Sequence, residues 1–383
     1  MARWLNPGDP YLAFALGGAT IFYARAAVPF KEWLVWSAAL VAFAGIVHLP
    51  SASDPILWIA TLCALTGFAS FLMLCLRVVW CEEPTDKVAL AMLAPATLLV
   101  LYILSAQHAL NLAEWLHPTT LDLYLFSFDG SLGFEPSYWI GSVLGHQKFL
   151  SFISLLSYVS LPLAMGAAYA GYIDPRATKP SVYMLKLFVL AGLLGWCLYS
   201  FFPATGPAYA FQGDFPYHPL PFTAMKRVLR EPMALPQSIP RNAMPSLHMA
   251  WVILIWWNSR KFSRFARLLV LCYLILTVIG TLGTGEHYLI DLVVAFPFAL
   301  AVQSLCMGSE KNASLRHRWK LCATIGFTII GIWFAVLRFA GGIFHVTPVL
   351  PWFAVVITIA TVEILRRGVV APEISSSKDL GSP

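Results

Sequence analysis

Apolar residues come in runs separated by short polar connectors. Such runs occupy 33–50, 56–77, 88–106, 149–172, 183–202, 267–285, 287–307, 321–340 and 348–365. A helix that crosses a bilayer needs about 20 mostly apolar residues, within a range of about 17–25, so each run predicts a transmembrane helix. The stretch 246–259 reaches span length only with the residues before it, and 11–28 is interrupted by Arg25, so the pattern predicts ten or eleven helices. No repeat of 20–50 residues is visible. The polar tail after Arg367, with Ser375, Ser376 and Ser377, predicts disorder.

Two connectors are too long to be turns. Residues 107–148 carry Trp115, Leu121, Leu123, Leu125, Phe126 and Phe128 among polar positions, which predicts an amphipathic helix lying in the membrane interface. The alternative is a segment packed over the bundle. In 203–245, nine prolines interspersed with Gly206 and Gly213 exclude a regular helix, and long structured loops are often functional.

Composition narrows the class. Of 383 residues, 59% are hydrophobic and 11% charged, against about 25% charged in ordinary soluble domains. A soluble enzyme, a disordered chain and a disulfide-stapled secreted module are excluded. The fold class is all-α, a polytopic membrane helix bundle. Its expected divisions are N-terminal helices at 1–106, a core at 107–307, a helical hairpin at 308–367 and the tail at 368–383. The net charge of +6 does not indicate nucleic acid, because the basic residues gather in short connectors. Most of the seven cysteines lie in apolar runs without a CxxC pattern, so all are expected to be structural, and no cleavable signal peptide is evident.

Lys and Arg placement predicts orientation. Arg260, Lys261, Arg264 and Arg267 share one connector; Lys311, Arg316, Arg318 and Lys320 share another. Arg176 with Lys179, and Arg366 with Arg367, fall on the same face if every span crosses. That face is expected to be cytoplasmic, with the C-terminus inside, in a plasma or inner membrane. The loop 203–245 breaks the rule by placing Lys226, Arg227, Arg230 and Arg241 on the opposite face. An anionic substrate there accounts for them.

Ionisable residues at membrane depth are the default functional candidates. Arg241-Asn242-Ala243-Met244-Pro245-Ser246-Leu247-His248 leads from the long loop into a helix, with Pro245 and Ser246 suited to its start and His248 in its first turn. Gly285-Glu286-His287-Tyr288-Leu289-Ile290-Asp291 opens another helix from the same face, with His287 and Asp291 at i,i+4. A carboxylate so placed can hold an imidazole tautomer. The pair alone is equally a structural hydrogen bond, or two zinc ligands with His248 as a third. His48 and His345 are expected to be satisfied polar residues.

PSLH followed by HYLID resembles the second and third signatures, PSGH and HxxxD, of the type-2 phosphatidic acid phosphatase superfamily. Leu247 in place of glycine, within RNAMPSLHMAW, is most similar to the branch containing inositol phosphorylceramide synthase. The motif-bearing part is 183–307, and LDLYLFSFDGSLG extends a weaker likeness back to about residue 110. The resemblance implies a six-helix core with further N- and C-terminal helices, acting on a lipid phosphate or phospholipid in the bilayer without metal or cofactor. It makes His287 the nucleophile, Asp291 its orienting partner, and His248 the acid for the leaving alkoxide and later the base for the acceptor. Arg241, Ser246 and first-turn amides would cradle the phosphoryl oxygens.

The chain departs from the superfamily pattern twice. The first signature, KxxxxxxRP, is absent and FPATGP at 202–207 stands in its place, while Thr281 replaces the arginine six residues before the nucleophile. Lys226, Arg227 and Arg230 are therefore further candidates to meet phosphate charge, or to contact anionic headgroups. Hydrolysis is favoured over transfer of a phospho-alcohol headgroup to a lipid hydroxyl. A transporter or scaffold is the competing class, although the chain lacks the paired interrupted helices of inverted-repeat transporters.

Overall fold

The computed structural model describes residues 9–26, 28–46, 54–80, 85–173, 183–220, 231–307 and 313–379. Its helices are α1 (Asp9–Arg25), α2 (Phe30–Ile46), α3 (Pro55–Trp80), α4 (Thr85–Leu116), α5 (Asp122–Ser131), α6 (Pro136–His146), α7 (Lys148–Val159), α8 (Leu161–Tyr172), α9 (Tyr183–Tyr199) and the short α10 (Pro207–Ala210). These are followed by α11 (Leu247–Asn258), α12 (Arg264–Gly283), α13 (Leu289–Met307), α14 (Ala313–Ala335) and α15 (Val349–Asp379). Among the described residues the one sheet pairs β1 (Thr119–Thr120) antiparallel with β2 (Met233–Ala234). Helix dominates because lipid offers backbone groups no partners, and a helix satisfies them within the segment.

Six described helices are long and apolar enough to span a membrane, or seven if α7 and α8, bent by 61° at their junction, form one span. The count covers the described residues alone, in which α1, α2 and α9 comprise 17 residues each and α11 comprises 12. The α7–α8 break falls just before Pro162, which has no N–H to give the preceding turn. Leu57, Leu62 and Phe68 of α3 and Leu90, Leu98 and Leu101 of α4 are exposed. Such apolar outer faces suit lipid, and the chain is an integral multi-pass membrane protein.

The structure departs from the sequence-based expectation in two further places. Helix α5 does not lie in an interface: all of Asp122–Phe126 and Phe128–Ser131 are buried. A ten-residue helix with apolar side chains on every side needs protein around it rather than a water boundary. At the other end, α15 runs past Arg367 to Asp379, into the stretch expected to be disordered.

Contacts divide the chain into two compact units, the first comprising Met1–Ala109, Phe152–Val189 and Asn258–Cys272. There α1 packs against α3 and α8, with Phe14, Ala60, Tyr158 and Val159 forming a shared core. The approach is close because small residues meet. A Cβ on Gly67 would lie 2.1 Å from the Leu16 carbonyl oxygen, so any side chain there would push α1 and α3 apart.

The second unit comprises Leu110–Ser151, Leu190–Trp257 and Tyr273–Pro383. Helix α13 is its most enclosed span, with 78% of its apolar window buried. Helices α14 and α15 flank it, and α5 packs against its start. The link between α14 and α15 docks on α5: Phe128 meets Trp333 and Phe344 edge-on, and Ser127 Oγ lies 2.8 Å from His345 Nε2. His345 is thus a satisfied polar residue; His48 lies outside the described residues. No disulfide joins the six described cysteines.

Candidate active site

Local sequence sets both chain segments that bear the candidate catalytic residues. Ser246 caps α11, its Oγ accepting the Met249 N–H at 3.4 Å, and this places His248 in the first turn as expected. The second segment differs from its expectation. His287 is not on a helical face, because α13 begins two residues later, at Leu289. Gly285, at φ +75°, turns the chain just before it. Asp291 Oδ2 accepts the Tyr288 N–H at 2.8 Å, one half of a capping box.

That turn brings the predicted residues together. The Nδ1–H of His287 donates to the Ala243 carbonyl at 2.9 Å, and Nδ1 also lies 3.4 Å from Asp291 Oδ2. With Nδ1 so engaged, Nε2 keeps the lone pair. His248 faces the same imidazole, ring centroid to ring centroid 6.5 Å. The Ser246 N–H donates to the Asp291 carbonyl at 3.2 Å, tying the start of α11 to the start of α13. His287, Asp291 and Ser246 are buried, whereas His248 is only half-buried. An imidazole, a carboxylate beside it and a second imidazole therefore converge.

Of the four predicted cations only Arg241 lies among the described residues. Arg241 is fully buried, and its guanidinium donates to four main-chain carbonyls: His117 at 3.2 Å, Leu235 at 3.1 Å, Pro236 at 3.2 Å, and Ile239. In this arrangement it staples the long loop to the end of α4 and the β1–β2 pair. Lys226, Arg227 and Arg230 lie outside the described residues. Thr281 is buried within α12, its hydroxyl donating to the Thr277 carbonyl at 2.8 Å.

Sequence reasoning missed the carboxylates that frame the site. Asp122 and Asp129, both fully buried on α5, take different partners. Asp129 caps α13 by accepting the N–H groups of Leu289 at 2.6 Å and Ile290 at 3.2 Å. Asp122 accepts from Thr205, Gly206 and the Tyr288 hydroxyl. From α6, the Ser137 hydroxyl donates to the His287 carbonyl at 2.8 Å. The available signal was two aspartates seven residues apart in an otherwise apolar LDLYLFSFDG, within a chain poor in charge.

Burial governs the electrostatics of the connector between α12 and α13. It pushes Glu286 up to about 7, while the Tyr209 hydroxyl, donating to it at 2.9 Å, and the nearby His287 pull the other way. Burial likewise holds His287 down at about 4, opposed by Glu286 and the Ala243 carbonyl. The imidazole is therefore neutral at physiological pH. Among the described residues, no three His, Cys, Asp or Glu side chains are grouped as metal ligands.

The fold and site define a helical membrane protein with a buried His–Asp pair facing a second histidine. Residues 123–305 match the family model of the PAP2 superfamily, whose members are phosphatases or phosphotransferases. The match stands at the level of the superfamily and gives no evidence for the inositol phosphorylceramide synthase branch. No curated protein and no solved structure matches the chain.

Proposed function

We propose that the protein is a phosphoryl-transfer enzyme acting on lipid phosphate esters at the extracytoplasmic face, and that hydrolysis is its reaction. The observation that carries this reading is the His287 imidazole, tied through Nδ1 to Ala243 and Asp291 so that Nε2 is the nucleophilic nitrogen. Nε2 attacks phosphorus as the bond to the leaving alkoxide breaks. Burial and His287 hold free His248 neutral, so in this reading the substrate's negative charge draws a proton onto it. The imidazolium gives that proton to the alkoxide, leaving a neutral His248 and a phosphohistidine. His248 then takes a proton from water, which attacks phosphorus and frees His287. Transfer to a lipid hydroxyl differs only in the acceptor.

Asp291 stabilises the charge that His287 develops, and its uncommitted Oδ1, buried without a partner, leaves it capacity to do so. Arg241 supports the loop in this reading, and phosphate charge falls to the first-turn amides of α11 together with Lys226, Arg227 or Arg230. The basic connectors 259–267 and 308–320 support a cytoplasmic C-terminus.

Purified protein incubated with labelled lipid phosphates, with and without alcohol acceptors, tests the reading. Inorganic phosphate release is expected from the wild type and none from His287→Ala. A new labelled lipid would identify a transferase instead. Full turnover by His287→Ala would remove the nucleophile assignment, and loss of wild-type turnover in EDTA would replace the metal-free route.

A further inference from the structure

The FPATGP turn, standing where the superfamily carries a basic signature, is gathered onto one carboxylate. Asp122 accepts the Thr205 N–H at 3.0 Å, the Thr205 hydroxyl at 3.1 Å and the Gly206 N–H at 2.9 Å. On its other side the same Oδ1 accepts the Tyr288 hydroxyl at 3.1 Å. Gly206 sits at φ +103°, and a Cβ there would lie 2.3 Å from the Glu286 carbonyl oxygen, so the turn runs directly against the segment that carries His287. Next to Thr205, the Ala204 carbonyl accepts the Ala243 N–H at 2.9 Å. Ala243 in turn accepts from His287 Nδ1.

These bonds close a ring. It runs from Asp122 through the turn to Ala204, across to Ala243, on to the His287 imidazole, along one peptide to Tyr288, and back to Asp122. One carboxylate thus holds both the carbonyl that accepts the imidazole proton and the backbone that carries the imidazole. An ionised carboxylate is an acceptor only, with about four lone-pair sites, which suits donors arriving from both sides. An asparagine there would turn an NH₂ group toward at least one of them.

On the reading that His287 is the nucleophile, we propose that Asp122 is a positioning residue for phosphoryl transfer, setting the distance between the His287 imidazole and the Ala243 carbonyl that fixes its tautomer. Asp122 touches no reacting atom. It acts through the 204–206 turn on one side and through Tyr288 on the other.

Tyr288→Phe removes one arm of this ring and leaves the Thr205 and Gly206 contacts in place. The full chain in detergent micelles is compared as wild type, Tyr288→Phe, Asp122→Asn and the double variant. Phosphate release from phosphatidic acid gives kcat and KM, and [¹⁵N]histidine NMR gives the tautomer of His287 without needing a substrate. Tyr288→Phe lowers kcat about 5-fold and Asp122→Asn about 50-fold, within the roughly 10²-fold that a 1 Å misplacement can cost. KM moves by less than about twofold, and the Nδ1–H tautomer fraction falls in the same order. The double variant is no worse than Asp122→Asn, because both act through one ring.

A wild-type tautomer and kcat in Tyr288→Phe would overturn the proposal, as would losses that multiply in the double variant. So would losses matched by lost folded protein with the tautomer unmoved. His287→Ala in the same assay separates the two levels. If it is silent while Tyr288→Phe is normal, the positioning role falls alone; if it turns over phosphatidic acid, the nucleophile assignment falls and takes this role with it.

Discussion

The corner of α1–α3 around Arg77 and the loop cluster around His287 are both polar islands among apolar helices, yet they use their polar atoms differently. In the first, Arg77 donates to the Ala26 carbonyl at 3.0 Å and lies 3.6 Å from Glu32, whose carboxylate also receives the Tyr23 hydroxyl. Nearby, the Trp36 indole donates to Ser70, which donates to the Thr66 carbonyl. These contacts mostly join one helix to another. In the second island, His287 has one nitrogen committed and one left over, and Asp291 has one oxygen committed and one left over. Buried polar groups cost free energy unless paired, so an incompletely paired, titratable couple is the better mark of chemistry. By the same criterion Arg241, close in sequence to the motif, is a structural cation with its guanidinium met by four carbonyls, whereas Arg77 keeps a buried Nε without a hydrogen-bond partner and is held by its ion pair to Glu32.

The contrast can be broken at its strongest point first. His287→Ala is expected to abolish phosphate release, a loss on the order of 10⁴-fold or more, with Asp291→Asn losing less. An intact unfolding midpoint for His287→Ala would place that loss in chemistry. Arg241→Met should act the other way, destabilising by about 3 kcal/mol because it leaves several carbonyls unsatisfied. Thermal unfolding in detergent measures this. A normal midpoint with a KM raised tenfold would move Arg241 to the substrate.

Smaller effects sharpen the same distinction. Asp129→Ala removes the cap of α13 and should cost about 1–2 kcal/mol, with a lowered kcat because α13 carries Asp291. Glu32→Gln should cost about 1 kcal/mol, the pair being only partly buried, and leave kcat unchanged. A Glu32→Gln enzyme with impaired turnover would end the claim that the α1–α3 corner is structural.

The smallest expected effect is a slope in pH. Burial raises Glu286 from its ordinary carboxyl range of 4.5 to about 7. Between these values the native state holds a proton that the unfolded chain has released, so this contribution is complete below about 4.5 and is lost as pH rises through about 7. Relative to Glu286→Gln, the wild type should therefore lose stability across that window, read from unfolding midpoints at successive pH values. Parallel profiles would show that Glu286 is not held protonated. The neutral His287 slopes oppositely below its ordinary range, and because Glu286 itself raises that imidazole, the difference between the two proteins reads the coupled pair.

Much of the site was legible because it is written locally. Ser246 as a cap and His248 in the first turn follow from PSLH, and the four-residue spacing of His287 and Asp291 survives although the path between them is a capped turn rather than a helix face. The interfacial reading of α5 failed for a physical reason. Its apolar residues suit an interface as well as a protein interior, and only neighbours on both sides distinguish the two.

The sequence by itself determined the membrane class, most helix positions and the pairing of His287 with Asp291, since hydropathy and short spacing act within a few turns of chain. The tertiary structure decided the partners. Asp122 reaches Tyr288 across 166 residues, Asp129 reaches Leu289 across 160, and Arg241 is taken up by the main chain of its own loop and of His117. No periodicity encodes such pairings. They exist because buried donors and acceptors must find one another once the helices have packed.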